Sequence, residues 1–219
     1  NDGDGAPVDN VDVSDAYFGL AWYRSGTTLN PVMDGTEVNS MLREALYEGL
    51  FEIKNDFTLE NELCEDYTSD GTTFSFTIKK GIKTVLENES SPYHNRLTEV
   101  SSIEAVTKRM VRITLASPNV NFPKLLDIPI YRAGTTDEGE FAEGTGPYKP
   151  VQNGAAWTLE ANENWHGGFL GTIRHITLVK MTRADAADTS FRTGDVSIMR
   201  SARIAPDDQN IAFTGEVDT

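Results

Sequence analysis

Any catalytic or metal chemistry in these 219 residues would draw on three histidines, one cysteine and 34 acidic side chains. His94, His166 and His175 lie far apart, with no i, i+4 pair and no cysteine pair to complete a metal-ligand spacing. Trp165-His166-Gly167-Gly168 sets one histidine beside a glycine-rich turn, which reads as a surface or hydrogen-bonded loop histidine. Cys64 follows Leu63 and reads as a buried structural thiol; a lone cysteine closes no disulfide within the chain. No Gly-x-Ser-x-Gly elbow occurs, and Gly144-Thr145-Gly146 lacks the third glycine of a dinucleotide fingerprint. Asp2-Gly3-Asp4-Gly5 starts like a calcium loop but lacks the closing glutamate. Carboxylates could be paired on paper for acid and base work, yet spacing alone names no two that meet. No cofactor and no metal is implied, and a hydrolase would lack every recognisable nucleophile.

The formal charge of −15, from 19 basic and 34 acidic residues, repels polyanions, so nucleic acid is excluded as a partner. A composition of 38% hydrophobic and 9% aromatic residues is that of a globular chain, long enough for one large domain or two small ones. No apolar run reaches the roughly 20 residues that span a bilayer, and the first residues lack the basic start and apolar stretch of a signal peptide. Residues 1–10, acidic and glycine-rich, read as a flexible tether, which suits a lipoprotein whose anchor has been removed.

The elements that would position a site follow from periodicity. A first strand is expected within 11–23, before the Ser25-Gly26 turn. Met41, Leu42, Ala45, Leu46 and Leu50 recur at spacings of three and four, predicting an amphipathic helix over 37–50 with Gly49 favouring its end. Alternation over 74–79, 110–115 and 157–161 predicts half-buried strands, and 100–106 supplies a hairpin partner for 110–115. Phe122, Leu125 and Leu126 fit a single helical turn, 134–146 reads as a polar loop, 173–179 as a β-rich run, and 184–192 as a short helix closed by Gly194. Interspersed strands and helices predict a mixed α/β (α+β) domain with a mainly antiparallel or mixed sheet.

Four ordered segments carry a resemblance. They are Thr28-Leu29-Asn30-Pro31 with Glu44-Ala45-Leu46-Tyr47-Glu48-Gly49-Leu50-Phe51; the stretch 60–83 ending Gly81-Ile82-Lys83; Ser91-Pro92-Tyr93 through Phe122-Pro123; and Gly144-Thr145-Gly146-Pro147-Tyr148-Lys149 with Asn164-Trp165 and 191–196. Together they resemble the bacterial extracellular solute-binding proteins of family 5, which serve peptide and nickel uptake. The resemblance implies a lobe of the type II periplasmic-binding-protein kind, with a mixed β-sheet flanked by helices plus a small antiparallel β subregion. It implies a non-enzymatic, substrate-binding component of an ABC-type transporter, extracellular or periplasmic and lipid-anchored in full length, monomeric, with a peptide or small-solute ligand and a membrane permease as partners.

Two departures from the family pattern are expected to matter. After Gly81-Ile82-Lys83 a turn and helix are missing, and after Gly194-Asp195-Val196 no second large lobe follows. Residues 11–219 would then form mainly the first lobe, with weak ligand binding. The resemblance places ligand contacts on the loop carrying Thr28 and Met33, and on Tyr131, Arg132 and Tyr148. Met33 would offer an adaptable apolar contact and Arg132 a bidentate partner for a carboxylate; core filler and a solvated charge are the bland alternatives for the two. A secreted β-rich binding or adhesion module is the alternative function.

Overall fold

The computed structural model describes residues 16–23, 30–54, 56–77, 91–107, 109–132, 135 and 141–200. Their strands fall into three sheets. The first contains β1 (Gly19–Trp22), and the others that join it come much later in the chain. The hairpin β2 (Phe51–Ile53) and β3 (Leu59–Asn61) stands alone. A four-stranded antiparallel sheet has the order β4 (Tyr67–Ser69), β5 (Thr73–Thr77), β7 (Met110–Leu115), β6 (Val100–Ala105). The expected strand at 74–79 is present as β5 up to Thr77, the remainder lying outside the described residues, and the expected hairpin is β6–β7.

The first sheet is completed by β8 (Tyr148–Asn153), β9 (Ala156–Ala161) and β10 (His175–Lys180), in the order β1-β10-β9-β8. β1 runs parallel to β10, whereas β10–β9 and β9–β8 are antiparallel, so the sheet is mixed. All four residues of β1 are buried, as expected of a strand covered on both faces. Its alternation divides them: Leu20 and Trp22 enter the main core, and Ala21 enters a small cluster with Met181, Ala187 and Val196. That second cluster lies against α2 (Ala187–Arg192), which follows a 3-10 turn at Ala184–Ala186 and closes at Gly194, where φ is +83°.

The main core runs continuously from this sheet to the antiparallel one. Trp157, Leu159, Ile176 and Leu178 point inward from β9 and β10, and Phe74, Phe76, Ile113 and Leu115 from β5 and β7. Phe51 and Phe76 meet edge-on with centroids 5.9 Å apart, and Phe122, from the expected single helical turn (Phe122–Leu125), lies 5.3 Å from Phe74.

The expected helix over 37–50 is shorter. A 3-10 turn at Glu37–Asn39 leads into α1 (Ser40–Leu46), and Tyr47 is already extended at φ −132°, ψ 140°. Tertiary partners capture the backbone beyond Leu46: Ile130 N–H donates to Glu48 O at 2.9 Å, and Glu48 N–H donates to Thr145 Oγ1 at 3.4 Å. Gly146 N–H donates to Leu46 O at 3.0 Å, satisfying a helix-end carbonyl. This contact explains the Gly144-Thr145-Gly146 sequence. A Cβ on Gly144 would fall 1.8 Å from Leu46 O, and one on Gly146 would fall 2.7 Å from Ala45 O.

The stretch read as a polar loop also has an apolar end. Ala142 is buried, and Phe141 packs between Trp22 and Trp157, at 5.6 and 5.0 Å. Two apolar residues in an otherwise polar run give no periodicity from which to read this.

Candidate ligand-binding face

Elements leaving the C-terminal ends of the parallel strands build the candidate site. After β1 the chain returns to Asn39, whose side chain pairs with the backbone of Tyr23 as a neighbouring strand would. Tyr23 N–H donates to Asn39 Oδ1 at 2.8 Å, and Asn39 Nδ2 donates to Tyr23 O at 2.5 Å. Asn39 Nδ2 also donates to Asp34 Oδ2 at 2.7 Å, and Arg43 donates to Thr36 O at 3.0 Å. Buried and fully engaged, Asn39 fixes both ends of the loop it closes. After β10 the chain turns into α2. Ligands of open α/β sheets bind where such elements leave the strands' carboxyl ends.

Two cavities border α1. The larger, about 230 Å³ and open to solvent, is lined by Leu20, Ala21, Val38, Met41, Ala187 and Met199, together with the acidic Glu37 and Asp188. The smaller, about 160 Å³, is bounded by Arg43, Tyr93, Arg96, Asp127 and Arg200. Ser40 and Arg200 line both. Arg43 hydrogen-bonds Tyr93, whose hydroxyl is pushed above its usual range mainly by burial, and the Arg96 guanidinium lies 5.2 Å from the Tyr93 ring centre.

The sequence-based candidates are dispersed. Thr28 lies outside the described residues. Met33 is half-buried in the turn after Asn30 and packs on the main core. Tyr131 is buried, and its hydroxyl accepts from Asn30 Nδ2 at 3.5 Å, so Tyr131 reaches the loop that carries Met33. Arg132 is exposed and pairs with Glu143 at 2.8 Å. Tyr148 donates to Ile173 O at 2.7 Å and packs edge-on against Phe169.

Other polar residues come together without sequence warning. Glu48 is 6% exposed; Trp165 Nε1 donates to its Oε1 at 3.1 Å, and His166 Nε2 lies 2.8 Å from the same oxygen. His166 is thus a hydrogen-bonded loop histidine. Glu48 Oε2 has no partner among the described residues. Glu62 accepts from Gly49 N–H at 2.7 Å, and burial, with Glu48, Glu52 and Asp127 nearby, pushes its carboxyl up to about 7. Burial likewise raises the Cys64 thiol, leaving little of the reactive thiolate. Among the described residues no three His, Cys, Asp or Glu side chains are grouped to hold a metal ion, and no helix is long and apolar enough to cross a membrane. Arg43, Arg96 and Arg200 went unsignalled because widely separated positions share no pattern.

The family model described as "Bacterial extracellular solute-binding proteins, family 5 Middle" matches residues 82–216, more than half of the chain. The chain belongs to this family. Similar proteins include the glutathione-binding proteins GsiB of Salmonella choleraesuis (strain SC-B67) and Escherichia coli (strain K12), each 28% identical. The matches span 152 and 151 residues, 56% of this chain and 30% of each relative. The chain therefore spans under a third of their length. Among solved structures, NikZ from Campylobacter jejuni in complex with Ni(L-His) superposes with a TM-score of 0.60 at 18% identity, over 82% of this chain and 42% of that one. The oligopeptide-binding protein AppA from Bacillus subtilis, in complex with a nonapeptide, gives 0.59 at 18% identity, over 82% and 44%. At that identity the likeness establishes the fold, that of a periplasmic binding protein with a mixed sheet and few helices.

Proposed function

We propose that this chain is part of the solute-binding component of an ABC-type uptake transporter, taking a peptide or similar small solute and handing it to a membrane permease. The family match over 82–216 carries this reading. The largely apolar cavity between β1, residues 36–41 and the start of α2 supplies a place for the solute; neither Met33 nor Tyr131 lines it. Family membership favours transport over an adhesion module. Family 5 proteins are extracellular; the lipid anchor, monomeric state and lack of catalysis belong to the proposal.

A cavity open to solvent leaves part of a solute uncovered, whereas ligand pockets normally bury roughly 70–90% of one. Binding by these 219 residues is therefore weak. Calorimetric titration with glutathione, nickel–histidine and tripeptides tests the proposal: saturable binding in the high-micromolar to millimolar range is expected. Sub-micromolar affinity would overturn the one-walled site, and no saturable binding at any concentration would overturn the solute-binding reading.

A further inference from the structure

The turn between β8 and β9 leaves a reactive pair of residues uncovered. Asn153-Gly154 is the one Asn-Gly step in the 219 residues. β8 ends at Asn153 and β9 begins at Ala156, so Gly154 and Ala155 form a two-residue turn closed by the Asn153–Ala156 pair. Asn153, Gly154 and Ala155 are all exposed, and Gly154 sits at φ +63°.

Asparagine is a thermally labile side chain. Its amide carbon and the backbone nitrogen of the next residue can close a five-membered ring, and a side chain on that next residue crowds the approach. At Asn153 each obstacle is absent. Glycine contributes no side chain, and no heavy atom lies within 4 Å of where a Cβ on Gly154 would stand. Among the described residues no hydrogen bond holds the Asn153 side chain or the Gly154 N–H. Gln152 Nε2 donates to the Gly154 carbonyl at 3.1 Å, which leaves the Gly154 nitrogen untouched. The other exposed asparagines include Asn61, Asn95 and Asn121, which precede Glu62, Arg96 and Phe122. Asn39 and Asn162 are buried and hydrogen-bonded. Asp70-Gly71 is a glycine step too, but its carboxylate accepts from the Thr72 and Thr73 N–H groups at 2.9 and 2.7 Å, which keep it ionised and so a poor electrophile.

We propose that Asn153-Gly154 is a site of spontaneous deamidation. The Gly154 nitrogen gives up its proton to water or hydroxide and bonds to Asn153 Cγ; the Cγ–Nδ2 bond breaks, and ammonia leaves with a proton taken from water. Hydrolysis then opens the cyclic imide. Cleavage of the Cγ–N bond gives aspartate, and cleavage between the main-chain carbonyl carbon and that nitrogen gives isoaspartate. Either way one water is consumed and one ammonia released. Both products add a negative charge to the turn. Isoaspartate also routes the main chain through the former side-chain carbons, which lengthens it by one atom. A two-residue turn sets the register of its strands, so the added atom bears on the pairs Asn153–Ala156 and Gln152–Trp157, and Trp157 belongs to the main core. Ring closure turns the Asn153 carbonyl out of the extended strand. The last ladder pair must therefore open first, and the folded chain reacts more slowly than a free peptide.

The full chain and a synthetic peptide of residues 148–158 are incubated at mildly alkaline pH, digested and analysed by mass spectrometry, with enzymatic methyl transfer to isoaspartate as a second readout. In the folded chain Asn153 should convert at least about tenfold faster than Asn61, Asn95 or Asn121, and isoaspartate should appear at that position alone. Asn153→Gln should abolish both signals. Asn153→Asp, which has the charge without the longer main chain, should keep a urea midpoint above that of the converted protein. Conversion of the peptide but not of the folded chain would mean that the hairpin shields the step, and overturns the proposal. Conversion of Asn61, Asn95 or Asn121 as fast as Asn153 overturns it as well.

Discussion

Replacing Gly144 by alanine tests the close approach that ends α1. Its Cβ would lie 1.8 Å from Leu46 O, 2.7 Å from Tyr47 Cδ1 and 2.8 Å from Leu46 C. Ordinary contact begins at 3.4 Å, so the backbone at residue 144 and the helix end must separate by 3.4 − 1.8 = 1.6 Å. Two backbone atoms cannot yield as a flexible side chain would. Separation also pulls on the Gly146 N–H to Leu46 O bond and on the bridge between Tyr131 and Gly144. Overpacking of this kind costs about 1–3 kcal/mol, and a buried hydrogen bond left open adds about 1 kcal/mol, giving about 2–4 kcal/mol together. Gly154→Ala is the control: φ there is +63°, with no atom within 4 Å of a new Cβ, so only backbone strain of about 1–2 kcal/mol applies. Urea unfolding followed by circular dichroism, at unchanged slope, should give a much lower midpoint for Gly144→Ala than for Gly154→Ala. A loss at Gly144 no larger than that at Gly154 would refute the reasoning.

Other substitutions bear on the buried polar groups. The Glu62 carboxyl, raised from 4.5 to about 7, binds its proton more tightly folded than unfolded, so stability is full below about 4.5 and is lost as pH rises towards 7. The difference corresponds to about 3.4 kcal/mol at 1.36 kcal/mol per pH unit; with the side chain only half-buried, solvent screening reduces it to about 1–2 kcal/mol. Glu62→Gln should therefore stabilise the protein at pH 8 and leave it unchanged at pH 4, as read from urea midpoints, and equal effects at both pH values would contradict this. Asn39→Ala leaves the N–H and C=O of Tyr23 without this partner and should cost about 2–4 kcal/mol; fast hydrogen exchange at the Tyr23 amide is the direct readout, and unchanged protection would count against the clamp. Ser40→Ala removes a buried hydroxyl without a partner among the described residues and should leave the ligand-free melting temperature unchanged or raise it. A drop of several degrees would show that the hydroxyl has a partner.

Alternation made β5, β7 and β9 legible, because a half-buried strand writes its pleat directly into the order of side chains. The helix face of Leu42 and Leu46 was legible for the same reason. Its end was not: Gly49 signalled a stop, but the helix breaks at Leu46, where Ile130, Thr145 and Gly146 compete for its backbone groups. The ordered motifs pointed to the family and to the loop of Met33. They did not reveal that Arg132 pairs with Glu143 at the surface while Arg43 and Arg96 face a cavity. A charge in a loop and a charge in a cleft have the same letter.

The sequence by itself determined the mixed architecture, the acidic character and the family, since each depends on composition, short-range periodicity or motif order. Tertiary structure alone decided which polar groups meet. Glu48 finds Trp165 and His166, and Asn39 finds Tyr23, across chain separations that no local pattern spans. Such pairs form because a buried donor or acceptor left unpaired costs about 1–3 kcal/mol, and only the packed chain determines which partner lies within reach.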